Sequence, residues 1–227
     1  MSLLDFSSLD RYIPKFLEGL KVTIGLSIAT VILATVLGFI IYFMKASKSG
    51  IGKFRPISAF AVVFIELMRG TPLLLQILLV FSGGKMLLGI DISAFQSAVI
   101  AITLNASAFI AEIVRAGIEA VDKGQMEAAR SLGMSRSLAM RLVIMPQAIK
   151  NILPAIGNEF VNIIKASSMA SVIGVGELTL AAKIVQGATY LALEPLIISA
   201  VFYLILTFSL GRLMSWIERR FKSSDIR

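Results

Sequence analysis

Two sets of charges sit inside stretches of this chain that are otherwise apolar. Glu66 and Arg69 fall three residues apart within Pro56–Phe81, and Glu159 and Lys165 interrupt the run from Asn151 to about Gly187. A charge at the centre of a bilayer costs about 2.5–3.5 kcal/mol on insertion scales, so such residues persist where they are paired or functional. Glu66 and Arg69 are neighbours on one helix face, which allows a self-neutralising ion pair that only packs the span. The residues that follow argue for more. In "RGTP", Pro72 has no N–H and its ring pushes away the carbonyl of Met68, so the helix is expected to unwind beside the pair. Irregular backbone at membrane depth is tolerated only where protein buries it or a watery cavity receives it. Broken helices in transporters commonly mark the binding site. Asn158, Asn162 and Lys165 recur on one helical stripe with Glu159 beside it, and a second break is expected at Ala166-Ser167-Ser168, freeing backbone groups. These groups offer recognition of a polar, charged ligand. Bond cleavage is poorly served: His and Cys are absent, which removes the commonest general base and the usual metal ligands. No nucleophile–base set or metal cluster is visible.

Composition explains why the positioning elements should be membrane helices. The chain has 227 residues, 57% hydrophobic and 16% charged, with a mean hydropathy of +0.87; soluble domains average about 45–50% apolar and about 25% charged residues. A crossing helix needs about 20 apolar residues. Val22–Met44 meets this without a charge, Ile92–Ala111 meets it with only Asn, Gln, Ser and Thr as polar content, and Pro195–Gly211 is a shorter run extended by Arg212–Trp216 into an interfacial end. With the two charge-bearing stretches this predicts an all-α polytopic protein of about five spans, the fourth discontinuous, within one domain over residues 1–227. Residues 1–20 carry acids, a Pro and no early basic region, unlike a secretory signal, and read as an amphipathic segment on the membrane surface. Lys and Arg gather at Lys45, Lys48, Lys53 and Arg55, then from Lys123 to Lys150, then at Arg219, Arg220, Lys222 and Arg227. The positive-inside rule puts these three regions in the cytoplasm and the N-terminus outside. The net charge of +8 thereby expresses topology, and nucleic-acid binding is not needed to explain it.

The longest polar connection runs from Glu119 to Lys150. Glu127, Ala128, Ala129 and Arg130 are strong helix formers, Gly133 suits the position just past a helix end, and Ser135 or Ser137 could cap a second helix before Pro146 interrupts the chain. A short helix, a Gly turn and a second short helix are therefore expected, with the loop spanning about 119–147. Three readings compete. The stretch could be a solvated connector. It could be a DNA-reading helix-turn-helix, although spans adjoin both of its ends. Or it could be a docking knob, whose alanines allow close approach to a cytoplasmic partner and whose Gly133 permits a sharp turn.

At "EAARSLGMSRSLAMRLVIMPQAIKNILPAI" the sequence resembles the EAA signature of ABC importer permeases, through Glu127-Ala128-Ala129, Gly133, Ile144, Pro146 and Leu153-Pro154. "ELMRGTPLLLQ" (Glu66–Gln76), "FIAEIVRAGIEAVDKGQMEAARSLG" (Phe109–Gly133) and "KASSMASVIGVGEL" (Lys165–Leu178) are similar to the polar amino-acid uptake permeases, the group serving His, Arg, Lys, Gln and Glu. The likeness covers about Gly19 to Trp216. Phe109 stands where that family often has Tyr, Met145 where Leu is usual, and Ser167 where Thr is common.

The resemblance implies a type I importer permease that pairs with a second copy around a translocation path. Glu127, Ala128, Ala129 and Gly133 would shape a coupling helix docked on a dimeric ATPase. This chain has no G-x-x-x-x-G-K-[ST] loop, so ATP and Mg would belong to that partner, and no cofactor is expected here. An extracytoplasmic binding protein would deliver an amino acid. Glu66, Arg69, Thr71, Asn158, Glu159 and Ser168 are the expected substrate groups. Arg69, Ser168 or freed N–H groups would hold the carboxylate, and Glu159 or Glu66 would accept a cation. Two acids near mid-depth favour arginine, lysine or histidine. Glu112 and Arg115 read as a helix-end pair bracing the loop, Asn105 as interhelical glue or path lining, and Glu177 and Lys183 as outer-surface groups. An ion-coupled secondary carrier with a titrating Glu66 or Glu159 is the alternative, although carriers of that kind often show repeated halves and none is visible.

Overall fold

Prolines, glycines and polar caps set the limits of the helices. The computed structural model describes residues 5–7, 9–47, 49 and 55–222. Helix α1 (Ile13–Ala46) carries Pro14 in its first turn, where a missing N–H is harmless. Helix α2 (Pro56–Gly70) opens on Pro56 and stops before Thr71-Pro72, and α3 (Leu73–Leu88) ends at Gly89 in the left-handed region. Helix α4 (Ala94–Glu119) starts from a reciprocal cap between Ser93 and Gln96. Two short helices follow, α5 (Lys123–Ser131), capped by Asp122, and α6 (Arg136–Ala139), capped by Ser135. A π-helical turn at Met140–Ile144 leads into α7 (Met145–Ala166), and a 3-10 segment at Ser167–Ile173 continues it. Helices α8 (Leu178–Thr189) and α9 (Glu194–Lys222) complete the chain.

Helices α1, α4 and α9 are each long and apolar enough to cross a membrane, and two bent pairs bring the number of spans to as many as five. This agrees with the all-α, five-span expectation. The first bent pair is α2 with α3, which meet at 108° across "RGTP", a far sharper break than unwinding alone suggests. The second runs from Arg136 to Ile173 and bends by 47° into α8. Its break is displaced from the expected Ala166–Ser168. There the hydroxyls of Ser167 and Ser168 donate to the carbonyls of Ile164 and Lys165, and the chain continues as a 3-10 helix instead of unwinding. The chain turns instead at Gly174, whose φ of 87° suits glycine. Helix α1 already begins at Ile13, so the residues from 13 to 20 run into the first span without interruption. Lys48, Lys53 and Arg227 of the basic groups, and residues 1–4 and 8 of the N-terminal segment, lie outside the described residues.

Helix α1 lies along α4 through small residues. Ser27, Thr30, Ala34 and Gly38 are buried there, and a Cβ on Gly38 would press on Ile110. Close approach of this kind is the usual way membrane helices gain van der Waals contact without a hydrophobic driving force. Helix α7 crosses α4 where Gly117 admits Ile152 and where Asn151 Nδ2 donates to the Gly117 carbonyl. At the N-terminal end of α1, Leu9 and Phe16 pack on Leu178, Ala181, Ala182 and Val185 of α8. At its other end Lys45 reaches Glu112 near the end of α4, so α8 and the α5–α6 loop sit at opposite ends of the bundle.

Glu177 lies toward the end of the bundle away from the α5–α6 loop, but inside the protein and not on its surface. It is fully buried as the cap of α8, accepting from the N–H groups of Thr179 and Leu180 at 2.8 Å each and from the Tyr203 hydroxyl. An N-terminal helix turn must satisfy its own N–H groups, and a carboxylate there is favoured by the helix dipole. Lys183 is exposed, as expected, and its ammonium donates to Ser171 Oγ.

Candidate substrate cavity and coupling surface

The expected release of the Met68 carbonyl is observed, and it organises the middle of the molecule. That oxygen accepts from Gln76 Nε2 of α3 and from Asn105 Nδ2 of α4, both at 2.9 Å. Gln76 Nε2 also donates to Thr71 Oγ1 at 2.8 Å, and Gln76 Oε1 accepts from Asn105 Nδ2 at 3.1 Å. Thr71 in turn donates to the Leu67 carbonyl at 2.8 Å. The broken span is thus pinned to α4 by two side-chain amides. Asn105 is both interhelical glue and cavity wall.

Beside this network lies a cavity of ≈ 200 Å³ walled by Leu73 of α3, Asn105 and Phe109 of α4, and Glu159, Asn162 and Ile163 of α7. Glu159 is half-buried, and its Oε2 accepts from Asn162 Nδ2 at 3.1 Å. One carboxylate oxygen is held by the protein, and the other has no hydrogen bond among the described residues. The guanidinium of Arg69 lies 5.4 Å from the centroid of the Phe109 ring, within cation–π range. The first turn of α3, which begins at the cavity-lining Leu73, has no side-chain cap.

Several expected partnerships fail to form. Glu66 and Arg69 make no ion pair among the described residues. Arg69, in the last turn of α2, reaches α4 and stacks on Phe109, while Glu66 stays exposed on the same helix. Asn158 is exposed outside the cavity wall, on the same stripe as Asn162 and Lys165. Ser168 lies on a different face of the helix, in a groove against α9. Of the six expected substrate groups, the structure brings Glu159 to the cavity and Arg69 and Thr71 to its edge. Sequence reasoning underweighted Phe109, read only as a departure from a motif, and passed over Gln76. The signal for Gln76 was available: it is a lone amide in the apolar run "LLLQILLV", four residues after Pro72.

The polar loop folds as expected into two helices around a glycine. Gly133, at φ 86°, donates to the Arg130 carbonyl while Met134 donates to that of Ala129, the paired closure that ends a helix in a left-handed residue. Ser135 caps α6 through the Leu138 N–H at 3.2 Å. The two alanines part company. Ala129 is 4% exposed against the loop's own packing, whereas Glu127, Ala128 and Leu132 face outward, Leu132 with 85% of its surface exposed. Ala129 is therefore unavailable to a partner, and Leu132 joins the outward face. Glu112 bridges Lys45 at 2.6 Å and Arg115 at 2.9 Å, and Arg115 also pairs with Glu119. The expected helix-end pair is in fact a ladder tying α1 and α4 to the start of the loop.

Residues 46–223 match the binding-protein-dependent transport system inner membrane component family. The chain belongs to that family. The permease is 41% identical over 222 residues to the arginine transport system permease protein ArtQ of Bacillus subtilis (strain 168), covering 98% of this chain and 99% of that one. It is 37% identical to a putative glutamine transport system permease protein GlnP of Rickettsia bellii (strain RML369-C), over 95% of this chain and 98% of the relative. Among solved structures it superposes on a chain of an amino acid ABC transporter with histidines with a TM-score of 0.90 and 48% identity, covering 96% of this chain and 99% of that one. The MetNI methionine ABC transporter, at 18% identity, a TM-score of 0.76, and coverage of 93% of this chain and 98% of that one, shows the same fold. The permease is thus a multi-pass transport component and not itself an enzyme.

Proposed function

We propose that this permease forms the translocation path of an ATP-driven importer for polar amino acids, preferring those with a cationic side chain. The observation that carries the preference is the Glu159 carboxylate in the cavity wall, held on one oxygen by Asn162 and open on the other. A guanidinium or ammonium placed there would make a charge-assisted hydrogen bond, roughly twice as strong as a neutral one. Arg69 on the Phe109 ring and the uncapped first turn of α3, both on elements other than α7, would receive the α-carboxylate. A substrate would therefore lie with its side chain toward α7 and its carboxylate toward the break between α2 and α3. Similarity to permeases named for arginine and glutamine transport supports the amino-acid class.

The partners follow from the same reading. A dimeric ATPase, which binds the ATP and Mg, would receive the outward face of α5 formed by Glu127, Ala128 and Leu132, and Gly133 would set the angle at which α5 is presented. A second permease copy would complete the path, and an extracytoplasmic binding protein would supply substrate from the side of α8 and the N-terminus. The C-terminus and the loop would then be cytoplasmic. The test is uptake of labelled L-arginine into proteoliposomes containing the permease, ATPase and binding protein. Uptake should require internal ATP and all three components. Ion-gradient uptake by the permease alone would contradict the proposal and favour a secondary carrier.

A further inference from the structure

A second hollow lies beside α7, its wall mostly apolar through Leu196, Ala200 and Leu204 of α9, with polar groups set into it. A groove of ≈ 500 Å³ lies between α7, α8 and α9, and Lys165, Ser168, Thr179, Ser199, Tyr203 and Thr207 supply its polar lining. Lys165 and Ala166, adjacent in sequence, belong to the groove and to the Glu159 cavity respectively. The body of α7 at these two residues therefore separates the groove from the cavity.

The hydrogen bonding of this groove restricts what it can bind. Ser168 donates to the Lys165 carbonyl, Ser199 to that of Leu178 and Thr207 to that of Tyr203, at 2.7, 3.2 and 2.8 Å. Tyr203 donates to the buried Glu177 carboxylate. The protons of these four hydroxyls are committed to the protein; Ser199 is buried, and the Ser168, Thr207 and Tyr203 oxygens can act toward the groove only as acceptors. Lys165 is the reverse case. Its ammonium makes no hydrogen bond or ion pair among the described residues, and it lies close enough to attract the Glu159 carboxylate. The groove is consequently dipolar: a cationic donor lies at the Lys165 end, and acceptors backed by the Glu177 charge lie at the Tyr203 end.

We propose that this groove is a second binding station for the zwitterionic backbone of an α-amino acid, with the carboxylate on Lys165 and the α-ammonium among the Tyr203, Thr207 and Ser168 oxygens. It lies nearer α8 than the Glu159 cavity does, on the side from which substrate would arrive. The two sites divide the recognition. The groove reads the ions common to all amino acids, and the cavity reads the cationic side chain. This inference rests on the amino-acid reading of the cavity, and the experiment separates the two.

Equilibrium binding of labelled L-arginine to the purified complex of permease and ATPase counts sites per permease chain. About two are expected in the wild type. Thr207→Val should reduce this to about one, with the remaining site unchanged in affinity, and Lys165→Met should also leave about one, whose affinity for arginine rises because the Glu159 cavity loses a nearby cation. Glu159→Gln should also leave about one, now displaced equally well by L-glutamine. Two sites in the wild type that persist in both Lys165→Met and Thr207→Val overturn the groove. A single wild-type site abolished by Glu159→Gln and retained in Lys165→Met also overturns the groove while leaving the cavity reading intact. A single site abolished by Lys165→Met and Thr207→Val but retained in Glu159→Gln supports the groove and contradicts the cavity reading. Absence of binding in every form overturns both.

Discussion

Asn105 of α4 donates its side-chain amide to the Met68 carbonyl at the end of α2, at 2.9 Å. Met68 lies four residues before Pro72, so its carbonyl is the one whose helical donor the proline lacks. A broken membrane helix is stable only if such groups find new partners, and Asn105 and Gln76 supply them. Leaving a buried acceptor unsatisfied costs about 1–3 kcal/mol. Asn105→Ala and Gln76→Leu should each lower the melting temperature of the detergent-solubilised permease. Because each donor alone still satisfies that carbonyl, only the double variant leaves it unpaired, and the combined effect should exceed the sum of the single effects. Strict additivity in a double-mutant cycle would contradict a shared role.

Gly133 adopts a φ of 86°, where an L side chain costs about 1–2 kcal/mol. Gly133→Val should distort the end of α5 and lower ATP-coupled uptake, while the circular dichroism of the spans stays unchanged. Leu132→Asp, which leaves the backbone alone and changes the exposed face, should give the same uncoupling. Normal coupling in both variants would show that α5 does not transmit the stroke of the ATPase.

Glu112 joins Lys45 of α1 to Arg115 of α4. Hydrogen bonds to charged groups contribute about 1.5–3 kcal/mol, and this carboxylate is only 18% exposed. Glu112→Ala should destabilise the permease by on the order of 2 kcal/mol and leave two cations facing each other. Glu112→Gln should recover part of that loss. Urea or thermal unfolding in detergent measures both, and equal stability of the wild type and the alanine variant would rule out a bracing role.

Gly117 and Gly157 provide a paired steric test. A Cβ on Gly117 would collide with the branched stem of Ile152, whereas on Gly157 it would meet the flexible Met214 side chain. Overpacking of a tight contact costs typically about 1–3 kcal/mol, and methionine adapts to irregular space. Gly117→Ala should therefore lower stability clearly and Gly157→Ala much less. The reverse order in melting temperature would contradict the α4–α7 packing described here.

The spans, the Gly133 turn, the Ser135 cap and the freed Met68 carbonyl were legible in the sequence because each depends on a few neighbouring residues. Relations across helices were not. Glu66 and Arg69 satisfy the spacing of an ion pair, yet Arg69 finds the Phe109 ring of α4, a contact that no spacing rule reveals. A break is expected at Ser167 and Ser168 because the stretch is too long for one straight span. The chain instead continues there as a 3-10 helix, and the turn waits for Gly174. The sequence places Glu177 toward the outer side, but its burial was not legible, because only the packing of α9 brings Tyr203 onto its carboxylate. The division between Ala128 and Ala129 likewise depends on which face of α5 meets the π-helical turn.

Glu159 carries the claim that the cavity selects a cationic side chain, and its charge can be removed with little change in size. The most direct measurement is competition between L-arginine and L-glutamine for uptake by the reconstituted complex containing Glu159→Gln. Loss of a charge-assisted hydrogen bond, about 1.5–3 kcal/mol, should reduce the preference for arginine by about one to two orders of magnitude, with glutamine uptake retained. An arginine preference equal to that of the wild type would contradict the assignment.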